Sequence, residues 1–171
     1  MLPQCWMGII YKNSLSVVKG QKMEIRRKAK GWFLSFFRDI FVYHNSSLEF
    51  RAKLLAAIIG PNKDIDECEK DLLLEIAKEI YPEDIARVDV LVNTTKEFVN
   101  KIIDNNGLNV NELIISINQD LKEVKRFHEK IEIDQLKRFL KCAEDDEDTY
   151  IIQVRIIEYL ERSIENFNKL R

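Results

Sequence analysis

Apolar residues recur at intervals of three and four along most of this chain, the spacing that lines one face of a helix. From Met23 to about Tyr43 the pattern places Ile25, Ala29, Trp32, Phe33, Phe36, Phe37, Ile40 and Phe41 on one side, with Arg27, Lys30, Arg38 and Asp39 elsewhere. A second helix opens at Asn45-Ser46-Ser47, where Ser46 and Glu49 have the spacing of a capping box. It is expected to end at Gly60-Pro61, with Gly60 in the left-handed C′ position and Pro61 unable to continue the hydrogen-bond ladder. Asp64 or Asp66 caps a third helix through Ile80, which turns Leu72, Leu73, Ile76 and Ile80 inward, and Pro82 stops it and starts the next.

Residues 83 to about 104 read as a fourth helix, although Val88, Val90, Val92, Thr94 and Thr95 are β-branched and also suit a strand. A lone strand would have no partner, so helix is the expectation. Asp104-Asn105-Asn106-Gly107 is a turn, and Asn109 with Glu112 opens a fifth helix with Leu113, Ile117, Leu121, Val124 and Phe127 in one stripe. A break near Ile131 to Ile133 leads to a sixth helix capped around Asp134 that buries Leu136, Phe139, Leu140 and Ala143. The acidic run Glu144-Asp145-Asp146-Glu147-Asp148 precedes the last helix, with Val154, Ile157, Leu160, Ile164 and Phe167 as its apolar row. The fold class predicted is all-α, a compact bundle of about seven helices joined by short connections. Residues 1–22 lack a sustained helical period and read as a loosely ordered leader; residues 23–171 read as a single helical domain, and Met23 is a second candidate start.

Composition narrows this further. Only five glycines and three prolines occur in 171 residues, too few for the turns of a sandwich, barrel or doubly wound sheet. The nucleotide-binding glycine signatures, H-E-x-x-H and C-x-x-C are all absent, so no reaction is named by motif. Cys5, Cys68 and Cys142 are odd in number and far apart, which favours unpaired thiols in a reducing, cytoplasmic setting over a disulfide framework. Met1 to Ile10 makes a poor secretion signal and no stretch approaches the length of an apolar membrane span, so any anchorage is expected to be peripheral, at the inner face of the membrane.

The net charge of -2 conceals an asymmetry. Residues 1–60 hold ten Lys/Arg against three Asp/Glu, a balance of +7, whereas residues 61–171 hold 17 against 26, a balance of -9. The basic excess is densest from Lys12 to Lys30. Arg26, Arg27, Lys28 and Lys30, next to Trp32, Phe33, Phe36 and Phe37, are therefore the candidate membrane or partner surface. The same aromatic row also fits a packed core. Nucleic acid is not the expected partner, because no recognition motif accompanies the basic segment and the acidic body repels phosphate backbones.

Two acidic connections share a spacing. Asn62-Lys63-Asp64-Ile65-Asp66 is followed by Glu69 seven residues after Asn62, and Asp145-Asp146-Glu147-Asp148 by Gln153 seven residues after Asp146. A loop oxygen and a helix oxygen two turns on could hold one hard cation, so Asn62, Asp64, Asp66, Glu69, Asp145, Asp146 and Asp148 are candidate ligands for Ca²⁺ or Mg²⁺. Acids at helix N-termini also serve as caps without any metal.

Leu54-Leu55-Ala56-Ala57-Ile58-Ile59 followed by Asn62-Lys63-Asp64-Ile65-Asp66-Glu67-Cys68-Glu69, together with the second acidic loop and the helix count, resembles the TerB-like domain of tellurite-resistance protein B. The resemblance covers about residues 48–168. It implies two helical hairpins, divalent-metal binding through A-D-G-x-I-x-x-x-E loops, and stress-response complexes near the membrane. Carried over by position, the loop Asp, loop Gly and helix Glu fall on Asn62, Lys63 and Glu69, and in the second loop on Asp146, Glu147 and Gln153. Each loop keeps one of its two characteristic acids.

His44 and His128 are the only histidines and neither has a ligand-spaced companion, so zinc is not expected. Cys68, near a helix N-terminus, reads as a small, partly buried packing residue. The expectation is thus a non-catalytic TerB-like interaction module with a protein partner and weak divalent-cation binding. A peripheral membrane or docking adapter without metal is one alternative, and a small helical enzyme using a carboxylate or His128 is the other.

Overall fold

The computed structural model describes residues 46–62, 65–104 and 107–169; these are all helical or connecting, with no strand among them. Six α-helices follow in order: α1 (Ser46–Ile59), α2 (Glu67–Ile80), α3 (Ile85–Ile103), α4 (Val110–Glu123), α5 (Ile133–Lys137) and α6 (Glu147–Lys169). A 3₁₀ turn at Lys125–Lys130 follows α4, and a second at Arg138–Lys141 extends α5. The helical bundle expected from the apolar spacing is present. The first helix read from the sequence, residues 23–43, and the leader before it lie outside the described residues.

Helix α1 is the centre of the bundle. Leu48, Phe50, Ala52 and the unbroken run Leu54 to Ile59 are all buried, so the helix is apolar around most of its circumference, as an internal helix must be. Its few polar side chains reach outward to different neighbours. Lys53 pairs with Asp120 of α4 at 2.8 Å and with Glu49 of its own helix at 3.3 Å, and Arg51 pairs with Glu132 at 3.0 Å. Phe50 stacks on Phe127 of the first 3₁₀ turn with ring centroids 4.5 Å apart. Burying each such side chain contributes about 1.5–3 kcal/mol before ordering entropy is subtracted.

Local capping explains several boundaries. Asp66 accepts the Glu69 amide at 2.7 Å while the Glu69 carboxylate accepts the Asp66 amide, and Asn109 and Glu112 make the same reciprocal pair at the start of α4. Asp84, not Pro82, opens α3 by accepting the Arg87 amide at 2.9 Å. The β-branched residues of α3 stay helical, with Val88, Val90, Val92, Thr94 and Thr95 all buried, because tertiary packing outweighs their weak strand preference. Thr95 returns its hydroxyl proton to the Leu91 carbonyl at 2.8 Å.

Three expectations are corrected. Ser46 lies within α1, not before it. Gly60 does end that helix but has no left-handed backbone: Gly107 alone among the described glycines does, with φ 74°. Gly60 is small for another reason, since a Cβ there would stand 2.7 Å from Ile102 Cδ1 of α3 and 2.8 Å from the Ala56 carbonyl oxygen. The buried row of α6 is Thr149, Gln153, Ile156, Ile157 and Leu160, a rotation from the apolar row read in the sequence that leaves Val154, Ile164 and Phe167 only half-buried.

The largest correction concerns the thiols. Cys68, in the first turn of α2, is bonded to Cys142 at the end of the second 3₁₀ turn, with their Cα atoms 5.7 Å apart. The unpaired-thiol expectation and the packing role for Cys68 therefore fail, and the cysteines no longer argue for a reducing compartment. Spacing hid the pair because 74 residues separate the two cysteines and only the docking of α2 on that turn joins them. The same seam is laced by Arg138, which meets Glu75 at 2.7 Å and Glu79 at 2.8 Å. Arg138 is held above its ordinary pKa by the Glu79 hydrogen bond and the two carboxylate charges, against the opposing effect of desolvation. No helix among the described residues is long and apolar enough to cross a membrane.

Candidate functional site

The acidic loops come together on one end of the bundle, where most polar groups are hydrogen-bonded within the protein, although the buried Gln153 Oε1 has no hydrogen-bond partner among the described residues. Asn62 donates its side-chain amide to Glu69 Oε2 at 3.3 Å, which realises the seven-residue spacing read from the sequence. Glu69 is nearly fully buried beneath it and Asp66 is spent on its capping box. In the second loop Asp146 accepts the Thr149 amide at 3.3 Å and the Thr149 hydroxyl at 2.8 Å. Asp145 and Asp148 are exposed, and Asp64 lies outside the described residues.

Helix register separates the two loops. Counted from the caps, Asp66 matches Asp146 and Glu69 matches Thr149, so Gln153 lies a further turn into its helix. The alignment of Glu69 with Gln153 is therefore corrected. Gln153, fully buried, sends its amide nitrogen to the Ile58 carbonyl at 3.0 Å, satisfying an acceptor at the end of α1 that has no helical donor left. A glutamate could not make that bond. Among the described residues, no group of three or more His, Cys, Asp or Glu is placed to hold a metal ion.

A different site lies along α6, beyond Gln153. Asn118, Leu121 and Lys122 of α4 form one wall of an open groove, and Lys125, Arg126, His128 and Glu129 of the first 3₁₀ turn form its end. Tyr159, Arg162, Ser163, Asn166 and Phe167 of α6 form the facing wall, and the cavity holds about 1140 Å³. The α6 residues fall at intervals of three, four, seven and eight from Tyr159, so they occupy one helical stripe about 12 Å long. The walls are tied across the groove by the Tyr159 hydroxyl, which donates to Asn118 Oδ1.

The groove is cationic in an acidic half of the chain. Lys122, Lys125, Arg126 and Arg162 line it against the single carboxylate of Glu129. Among the described residues neither Lys122 nor Lys125 is joined to a carboxylate, and Arg162 has only a long 3.8 Å contact with Glu158. His128 stacks flat on Phe167 with centroids 4.0 Å apart and an 8° interplanar angle. Its Nδ1 stands 3.1 Å from the Lys125 carbonyl oxygen; a carbonyl only accepts, so Nδ1 carries the proton and Nε2 is the remaining ring nitrogen for a ligand.

Of the site residues read from the sequence, only His128 belongs to this groove. Arg26, Arg27, Lys28, Lys30, Trp32, Phe33, Phe36, Phe37 and His44 lie outside the described residues. The groove cations were missed because the balance of -9 over residues 61–171 averages them away. The local signal was present in Lys122, Lys125 and Arg126, three cations within five residues at the end of an amphipathic run. No protein-family model, no curated protein sequence and no solved structure matches this chain.

Proposed function

We propose that this protein is a non-catalytic binding domain that holds an anionic partner in the groove between α4, the first 3₁₀ turn and α6. The observation that supports this reading is the convergence of four cations from three elements on one concave, aromatic-walled surface of an otherwise acidic body. The TerB-like resemblance of residues 48–168 is kept within the proposal for its fold class. The differing register of the two loops favours capping over a Ca²⁺ or Mg²⁺ role for them.

A cation-exchange experiment tests the reading against a general effect of surface charge. Reversing Lys122 and Lys125 to Glu should lower the salt at which the protein elutes from an anionic resin. The drop should exceed that from reversing the exposed cations Lys78 and Arg155, which changes net charge equally. Equal drops from the two pairs would contradict the groove as the binding surface.

One observation favours a second reading, a small helical enzyme working through His128. The Lys125 carbonyl fixes the ring tautomer, as a backbone acceptor behind an imidazole does when it orients a general base. Under the binding reading His128→Ala weakens anion retention; under the catalytic reading it leaves retention intact and abolishes a turnover.

A further inference from the structure

We infer that the groove binds a ligand carrying two or more phosphate groups, which rests on the groove being the binding surface and adds the chemistry of its occupant. The cations arrive from separate directions, Lys122 from α4, Lys125 and Arg126 from the 3₁₀ turn, and Arg162 from α6. Guanidinium groups meet phosphate through paired parallel N–H bonds, whereas ammonium groups act as compact point charges. Two of each around one cavity suit oxygens pointing in several directions, as on successive phosphoryl groups, better than the planar edge of one carboxylate.

Neutral donors complete the set. Ser163 follows Arg162 on the α6 wall and Asn166 lies one turn further on, placed to share the oxygens that the charges leave. The Tyr159 hydroxyl occupies Asn118 Oδ1, so the Asn118 amide nitrogen remains a donor on the opposite wall. A cavity of about 1140 Å³ exceeds what a single phosphate fills, and the half-buried Phe167 and buried Leu121 offer apolar surface to the body of the ligand. The ligand is thus a soluble polyphosphorylated molecule or a multiply phosphorylated lipid headgroup; the chemistry at the groove is the same.

Isothermal titration of the full chain with tripolyphosphate, and with citrate as a carboxylate of comparable charge, tests the inference. Tripolyphosphate should bind at least about tenfold more tightly than citrate, and Lys122→Ser, Lys125→Ser and Arg162→Gln should each weaken it about tenfold or more. These side chains are exposed, so unchanged far-ultraviolet circular dichroism is expected of all three variants. Co-sedimentation with phosphatidylcholine vesicles, with and without phosphatidylinositol bisphosphate, distinguishes the sources. Retention that tripolyphosphate displaces assigns the lipid headgroup, and binding of tripolyphosphate without vesicle retention assigns the soluble molecule.

Citrate binding as tightly as tripolyphosphate, with both lost in the groove variants, overturns the phosphate assignment and leaves the groove as an anionic-partner site, an acidic peptide included. Tripolyphosphate binding that all three substitutions leave unchanged overturns the inference and the groove reading together. No binding of tripolyphosphate, while resin retention still depends on Lys122 and Lys125, overturns the phosphate chemistry alone.

Discussion

The loop end around Cys68 and Cys142 and the groove along the second half of α6 use polar residues in opposite ways. At the loop end, carboxylates and amides are turned onto the protein's own backbone: Asp66 onto Glu69, Asp146 onto Thr149, Gln153 onto Ile58. In the groove, ammonium and guanidinium groups line an open cavity with aromatic rings behind them. Acids at helix starts stabilise a fold without any ligand, because orphan amides are there to be capped. Lys122 and Lys125, which are joined to no carboxylate among the described residues, have no comparable structural use, which is why the groove and not the acidic loops carries the functional proposal.

Substitutions that treat the two regions alike should therefore give unlike results. Reduction of the Cys68–Cys142 bond, or Cys68→Ser, is expected to have the largest effect. The bond spans 74 residues and restricts the unfolded chain, so its loss should lower unfolding free energy by about 4.5 kcal/mol in the loop-entropy estimate. Urea denaturation with and without reductant measures this, and anion binding by the groove should survive under conditions where the reduced protein stays folded.

Gln153→Glu comes next. It installs the acid that the metal-loop pattern would have there, yet sets a carboxylate against the Ile58 carbonyl at a fully buried position. A loss of about 2–3 kcal/mol is expected, and added Ca²⁺ or Mg²⁺ should not restore the melting temperature.

Lys53→Met, at the join between α1 and α4, should lower stability by about 1–2 kcal/mol because Asp120 loses its partner. Burial alone would depress the Lys53 pKa, but the Asp120 hydrogen bond and the charges of Glu49 and Asp120 outweigh it and hold the pKa above the ordinary 10.5. A folded-state value above the unfolded one means that this contribution is complete below about pH 10.5 and is lost as pH rises through the folded value. Unfolding free energy measured across that range should fall more steeply for the parent protein than for the Met variant.

The groove should show the smallest effect on stability. Lys125→Ser is expected to change unfolding free energy by less than about 0.5 kcal/mol while weakening anion binding, the inverse of the disulfide result.

What was legible in the sequence was local. The reciprocal cap Asn109/Glu112 forms as its three-residue spacing predicts, and Asp66, one of the two caps offered for its helix, makes the same kind of pair with Glu69. Features that join distant segments were not legible: Gln153 reaches 95 residues back to Ile58, and a Cβ at Gly60 would press on Ile102 of another helix as well as on the nearby Ala56 carbonyl oxygen. The groove is of this second kind. Tyr159 and Asn118, which close it, are 41 residues apart, and its α6 stripe became recognisable only once the buried row of that helix proved to be rotated. The two acidic loops looked equivalent because a seven-residue spacing was counted from loop residues, whereas the helix caps set the register that matters physically.

Titration of tripolyphosphate into isotope-labelled protein, followed by amide chemical shifts, tests the contrast between the two regions most directly. Perturbations confined to the amides of Asn118–Glu129 and Tyr159–Phe167, with those of Asp66–Glu69 and Asp146–Gln153 unmoved, are the expected result. Perturbations centred on the two loops, with the groove amides unmoved, would contradict it.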